Sequence, residues 1–250
     1  MSDLFVPKYN HFKSLSSTNE YLKNEVRKGR AEEGLVVTAD IQTKGKGQRS
    51  KTWASEEGQN LLFSILLNCN PKSKFNMHPL LLSQMVSVGV AKVLQWIIPD
   101  EEVVIKWPND ILVGSKKIAG ILIENVVRKG EITHSVVGVG VNVNQDVFPN
   151  FERTATSIVN ETKKNFKTED LSQMLANKMS SFISDLENRS EINKEFNSLL
   201  YLRNSPSEFK ISGKKVLGTI KSCRESGELI LEHSNGRCID YLHGELGFTE

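Results

Sequence analysis

The stretch VVIKWPNDILVGSKKIAGILIEN, residues 103–125, carries the decisive reading. Val103–Lys106 is β-branched and reads as a strand. Lys106-Trp107-Pro108-Asn109-Asp110 follows at its end, an unusual order for a plain turn. Trp107 offers a flat face for an aromatic ring. Asn109 and Asp110 suit a metal or a ribose, and equally an Asx turn after the proline. Lys117–Glu124 reads as another strand, in which a lysine enters an apolar, glycine-containing run. A half-buried ammonium there needs a counter-charge, either a bound anion or a carboxylate such as Asp110 or Glu124.

Downstream, Thr133–Asn142 reads as a strand with Gly138 and Gly140 at alternate positions. Both glycines fall on one sheet face and strip it of side chains, which suits either a flat ligand or a closely packed helix. Upstream, Leu61–Leu67 is a short apolar run and Leu35–Ala39 a β-branched one, so both read as strands. Between them lies Lys44-Gly45-Lys46-Gly47-Gln48-Arg49-Ser50-Lys51-Thr52-Trp53, a basic loop with no acid from Ile41 to Ser55. Its glycines let backbone N–H groups approach a ligand, and its cations suit a phosphate or oxyanion. A solvated basic loop is the plainer alternative. Ser17 with Glu20 has the spacing of a capping box and opens a helix that closes near Gly29. His78–Ile98 reads as a core helix. A helix from the N-cap Thr168 carries Leu171, Met174, Leu175, Met179, Phe182, Ile183 and Leu186 at helical spacing, with the methionines as core filler. Ile192–Leu202 reads as a further helix.

After Pro206 the pattern changes to short strands over Glu208–Ile211, Val216–Lys221, Glu228–Glu232 and Arg237–Leu242. Turns at Ser212-Gly213, Ser226-Gly227 and Asn235-Gly236 separate them. A boundary therefore falls near residues 203–207, giving residues 1–204 as the main domain and 205–250 as a small barrel docked on it.

Composition bounds the function. Among 250 residues, 32 Lys and Arg against 30 Asp and Glu give a net charge of +2, with 38% hydrophobic residues. That balance excludes a disordered chain and gives no general attraction to nucleic acid or membrane. Three cysteines, Cys69, Cys223 and Cys238, make no disulfide framework, and the opening residues lack the apolar run of a signal peptide. A cytoplasmic protein is expected. The five histidines are dispersed, and neither a nucleophile elbow nor a zinc-protease motif occurs.

Taken in order, Ser17-Thr18-Asn19, Gln42 with the Gly45–Trp53 loop, Leu61–Ser64, Lys106–Asp110, Lys117–Glu124 and Gly138–Asn142 resemble the bacterial biotin–protein ligases. The closing Gly244-Glu245-Leu246 resembles them too. The resemblance implies an α+β fold: a mixed β-sheet catalytic domain of the biotin/lipoate ligase type, of about five to seven strands with helices on one face, and a small C-terminal SH3-like β-barrel. It implies activation of biotin as biotinyl-5′-AMP and transfer to a lysine of a biotin carboxyl carrier domain, with ATP and Mg²⁺ as cofactors. Carried over, Ser17, Thr18, Asn19 and Gln42 hold the biotin ring, and Gly45, Lys46, Gly47 and Gln48 cover biotin and the phosphate. Lys117 contacts the carboxylate and the phosphoryl group. Gly138 and Gly140 floor the biotin slot. Trp53, Lys106, Trp107, Asn109 and Asn142 lie near the nucleotide. Asp110 orients the acceptor amine or helps hold metal, and the magnesium arrives on the ATP phosphates. Lys117, Asp110 and Lys46 form the catalytic set.

The loop departs from the family pattern, with Lys46, Gln48, Ser50 and Lys51 where Arg, Arg, Gly and Arg are usual. Lysine makes no bidentate contact, so weaker retention of the adenylate is expected. Some members of the family carry an N-terminal helix-turn-helix; here Ser17 comes too early for one, and no DNA binding is expected. Monomer and homodimer remain open. A lipoate–protein ligase and a non-catalytic biotin-binding protein are the rival functions, and the polar Ser17, Thr18, Asn19 and Gln42 favour a ureido ring over a dithiolane tail.

Overall fold

The computed structural model describes residues 7–69, 78–149, 154–184 and 189–249. Seven strands form the main sheet: β1 (Lys8–Leu15), β2 (Leu35–Gln42), β3 (Asn60–Asn68), β4 (Val103–Lys106), β5 (Asp110–Val113), β6 (Lys116–Arg128) and β7 (Glu131–Asn142). Their order is β1-β2-β3-β7-β6-β5-β4. β1 and β2 are parallel, joined through the crossover helix α1 (Thr18–Arg27), and the other pairs are antiparallel. The sheet is therefore mixed.

β3 reads NLLFSILLN because both of its faces are covered. Phe63, Ile65, Val137, Val139 and Ile121 share one core with α2 (Pro79–Ile97), α4 (Thr168–Ser184) and α5 (Arg189–Ser198). On the opposite face Val37, Leu66 and Val136 meet Leu22 and Val26 of α1. Burying each of those two side chains contributes about 1.5–3 kcal/mol. The expectation of helices on one face is thus corrected. α1 lies on the second face, because the parallel crossover must leave the sheet plane and Leu22 and Val26 give it an apolar side to set down. α2 is long and apolar enough to span a bilayer by length and composition, but most of it is buried between the sheet and the other helices.

Several elements escape the periodicity reading. β1 is an edge strand with almost every side chain exposed, so its sequence lacks alternation. β5 is four residues long and pairs in a tight hairpin with β4, Lys106 opposite Asp110. The short helix α3 (Ile158–Thr162), N-capped by Ser157, is likewise new. α5 stops at Ser198 rather than Leu202, because the Leu199 carbonyl and Tyr201 amide bond to Ile105 instead. Leu186 lies outside the described residues.

The C-terminal strands are β8 (Pro206–Ile211), β9 (Lys214–Cys223), β10 (Leu229–His233), β11 (Cys238–Tyr241) and β12 (Leu246–Phe248). They form an open antiparallel sheet, order β11-β10-β9-β8-β12. Phe209, Ile220, Leu229 and Leu246 of this sheet join the main core. Polar contacts fix the junction. Gln84 Nε2 donates to the Arg224 carbonyl at 2.6 Å, and Asn197 Oδ1 accepts from the Cys223 amide at 2.6 Å. Trp107 Nε1 donates to the Gly227 carbonyl at 3.0 Å. The three cysteines are unpaired, and burial pushes the Cys223 thiol up to about 12.

Trp107→Phe keeps an aromatic plate but orphans the Gly227 carbonyl. It is expected to destabilise the protein by about 1–3 kcal/mol, read as a lower urea midpoint with an unchanged slope.

Candidate active site

The α1 face of the sheet is only half covered by that helix. The rest is the floor of a cavity of about 620 Å³, a size suited to a small-molecule ligand. Three glycines make the floor. Gly138 pairs with Ser64 on one side and Leu122 on the other; Gly140 pairs with Leu62 and Gly120. A Cβ at Gly138 would strike the Asn19 side chain, and one at Gly140 or Gly120 would strike the Trp53 indole. Trp53 therefore lies flat on the bare patch. Its Nε1 is buried without a hydrogen-bond partner among the described residues.

Polar side chains at the start of α1 close one end. Ser17 caps the helix by accepting from the Glu20 amide. Gln42 Oε1 accepts from the Thr18 amide at 2.8 Å and from the Thr18 hydroxyl at 3.1 Å. Ser64 Oγ lies 2.6 Å from both Thr18 Oγ1 and Asn19 Oδ1. Asn19 Nδ2 donates to Glu124 Oε2 at 2.9 Å and to the Leu122 carbonyl at 3.2 Å. These groups are preorganised, so a ligand with complementary donors and acceptors replaces existing hydrogen bonds rather than ordering loose chains.

Of the cations lining the cavity, Lys117 owes its aim to a bulge. β5 and β6 pair Ile111 with Ala119 but Leu112 with Lys117, leaving Ile118 as the extra residue. The shift resets the alternation of side chains and puts Lys117 on the same face as Gly120. Lys117 Nζ sits 2.7 Å from Asp110 Oδ1 and 5.4 Å from the centre of a Trp53 ring. Its main chain is gripped on the other side, by the Thr154 carbonyl and the Thr156 amide, each at 2.9 Å. Asn142 Nδ2 donates to the Thr156 carbonyl at 2.9 Å, fixing that grip. Asn109 Nδ2 donates to the Ile121 carbonyl at 2.6 Å. Trp107 and Pro108 are joined by a cis peptide bond.

The basic loop folds over this floor as a small hairpin. Trp53 N donates to the Gly45 carbonyl at 3.1 Å and Gly47 N to the Lys51 carbonyl at 2.7 Å. A Cβ at Gly45 would collide with the Trp53 carbonyl, which is why glycine stands there. Arg49, in the left-handed region with φ of 53°, donates from Nη2 to the His243 carbonyl at 2.8 Å. Lys46 Nζ lies 2.8 Å from Glu20 Oε1. Hydrogen bonds from Lys23 and then Lys46 hold the Glu20 carboxyl down at about 2. Its stabilising contribution is present above the ordinary carboxylate range and is lost as pH falls toward that value.

The C-terminal sheet closes the far end with His243, Leu246 and Phe248. Lys106 Nζ stands 5.0 Å from the Phe248 ring centre, and His243 meets Trp107 edge-on at 5.8 Å. Burial and the Arg49 guanidinium push the His243 imidazole below its ordinary value, Asp110 pulling the other way, so the ring is neutral near pH 7. Among the described residues no three His, Cys, Asp or Glu side chains converge as a metal cage.

The profile of the Biotin/lipoate A/B protein ligase family matches residues 11–142, more than half of the chain. The chain belongs to this family. Among its ligase relatives, the Bifunctional ligase/repressor BirA of Bacillus spizizenii is 35% identical over 151 residues, covering 59% of this chain and 45% of that protein. The protein of the same name from Escherichia coli is 27% identical over 243 residues, covering 93% and 71%. The chain thus spans less than half the length of the Bacillus relative. The biotin protein ligase from Aquifex aeolicus, solved in complex with biotin and ATP, superposes with a TM-score of 0.81 at 27% identity, covering 97% of this chain and 98% of that one.

The ligase-like sequence motifs converge on this single cavity. Ser17, Thr18, Asn19, Gln42, Lys46, Gly47, Gln48, Trp53, Lys106, Trp107, Asn109, Asp110, Lys117, Gly138, Gly140 and Asn142 all line it. Gly45 does not line it; it borders an adjoining cleft between the loop and Leu122, Ile123 and Glu124. Trp107 is almost wholly buried, with its ring nitrogen spent on the C-terminal sheet. Sequence reasoning missed Glu20 as a partner for the loop, Ser64 as the hydroxyl between Thr18 and Asn19, Arg49 as an anchor, and His243 and Phe248 as an end wall. The charge of Glu20 beside a basic loop was the one available signal; the others depend on contacts across 45 or more residues.

Proposed function

We propose that the protein is a biotin–protein ligase acting in two steps in the cytoplasm. A biotin carboxylate oxygen attacks the α-phosphorus of ATP, forming biotinyl-5′-AMP and expelling pyrophosphate. The amine of a lysine on a biotin carboxyl carrier domain then attacks the biotinyl carbonyl, loses a proton and expels AMP. The observation that carries this reading is the Lys117 ammonium, aimed by its bulge over a glycine floor beside the preorganised Thr18, Asn19 and Gln42. Step one brings a carboxylate to a polyphosphate, and a fixed cation offsets that repulsion as charge develops.

In this reading Ser17, Thr18, Asn19 and Gln42 hold the ureido ring, and Gly138 and Gly140 floor its slot. Gly45, Lys46, Gly47 and Gln48 form the cover, and closure shields the mixed anhydride from water. Trp53, Lys106, Trp107, Asn109 and Asn142 serve the nucleotide side. Asp110 orients Lys117 and receives the acceptor amine. Magnesium suits a site with one carboxylate and substrate phosphates rather than a protein cage, so Asp110 is the residue here that would help hold it. Residues 1–204 form the biotin- and ATP-binding unit, and residues 205–250 the small C-terminal one.

The test is pyrophosphate release from ATP with biotin or with lipoate, followed by addition of a carrier domain and mass spectrometry. Biotin-dependent release with a biotinyl mass shift on the carrier is expected. Release with lipoate alone overturns the choice of substrate, and biotin binding without pyrophosphate release overturns the enzyme.

A further inference from the structure

Glu20 stands where a capping box sends a carboxylate back to the N-cap amide. Ser17 makes its half of that exchange, but the Glu20 carboxylate turns outward. Its Oε1 lies 2.6 Å from Lys23 Nζ and 2.8 Å from Lys46 Nζ. Lys23 continues to Glu124 Oε1 at 2.6 Å, and Glu124 Oε2 accepts from Asn19 Nδ2 at 2.9 Å. Positive and negative charges therefore alternate from the loop, across α1, to β6 and the amide at the glycine floor. The chain is only partly open to solvent: Lys23 is 13% exposed and Glu124 24%, against 46% for Lys46 at the loop end. Ion pairs shielded in this way are less screened by salt than fully exposed ones.

The geometry points to Glu20 as a positioning residue: it clasps Lys46, and with it the 44–53 loop, against α1, and through Lys23 and Glu124 it ties the position of that loop to Asn19. The inference rests on the reading of this loop as the cover of the biotin slot. It assigns Lys46 a partner inside the protein. The ammonium then serves closure, and a ligand anion must compete with Glu20 for it. A lysine suits this better than an arginine at the same place, since a point charge exchanges partners without the planar fork of a guanidinium.

Limited trypsinolysis of the ligand-free protein tests the clasp without any appeal to biotin. Cleavage after Arg49, followed by mass spectrometry, reports how often the loop leaves the surface. Glu20→Gln is expected to speed that cleavage about two- to fivefold, the scale of a partly exposed ion pair. Lys46→Gln should do the same, and the double variant should be no faster than either single one. Release of a non-hydrolysable biotinyl-adenylate analogue, timed by tryptophan fluorescence, should quicken by a similar factor in Glu20→Gln. Cleavage unchanged by Glu20→Gln overturns the proposal. So do effects of the two substitutions that simply add, because a mere weakening of α1 would be independent of Lys46. Faster cleavage without any binding of the analogue leaves the clasp standing and overturns the ligase reading instead.

Discussion

Lys117→Ala is expected to slow biotin-dependent pyrophosphate release by about two to four orders of magnitude, the range for a charge contact made in the transition state. The bulge at Ile118 exists at a cost to strand pairing, and its effect is to bring one ammonium to the floor face of the sheet. The Lys117–Asp110 pair at 2.7 Å explains how that charge is tolerated before substrate arrives. It also raises the alternative that Lys117 is merely half of a wall ion pair. The two roles separate experimentally. A wall pair with 29% and 22% exposure on its side chains contributes on the order of 1 kcal/mol. Its loss would lower the melting temperature slightly and leave turnover near normal. A transition-state contact gives the opposite pattern, with biotin affinity changed little and kcat changed greatly. Lys117→Arg should recover only part of the rate, since the guanidinium is bulkier and its charge is spread over a plane. Near-normal release in Lys117→Ala makes the lysine structural.

The sequence made the centre of the main sheet legible because β3 and the second half of β7 are largely buried and their apolar runs are bounded by turn residues. The candidate site stood out for a different reason. Glycines at 138 and 140, a lysine inside an apolar strand and a basic loop without acids are all poor choices for packing alone. What stayed hidden is the geometry that depends on distant pairing. β1 has no alternation to read, since an outer strand of eight mostly exposed residues is specified by its parallel register with β2. The placement of α1 on the second face follows from that parallel register, and with β1 unread it was unreadable as well. The far wall of the cavity comes from His243 and Phe248, and no local pattern joins them to Lys106 and Trp107. Glu20 is the instructive intermediate. Its position at the third residue of α1 matches a capping box, and half of one is present. The nearby Lys23 and Lys46 win the carboxylate because charged partners bind it more strongly than a backbone amide does.

Gly140→Val is expected to weaken ligand binding by about one to two orders of magnitude while the fold survives. A Cβ at Gly140 would lie 2.5–2.9 Å from Cε2, Cζ2 and Nε1 of Trp53, so the indole must leave its seat, and two methyl groups then stand where the floor was bare. Overpacking of this kind costs about 1–3 kcal/mol, here charged against whatever lies on the floor. The strand itself gains, because β-branched residues suit a paired central strand better than glycine does. That gain offsets part of the cost of displacing the indole, so the melting temperature should fall only slightly, and calorimetry with biotin should show the loss. The result also decides what the two glycines are for. Gly138 makes room for Asn19, and Gly140 with Gly120 makes room for Trp53. If Gly140→Val abolishes biotin binding, the indole and biotin share one floor, and Trp53 must swing aside when biotin enters. If biotin binds normally and only ATP affinity falls, Gly140 is the seat of Trp53 on the nucleotide side, and Gly138 alone floors the biotin slot.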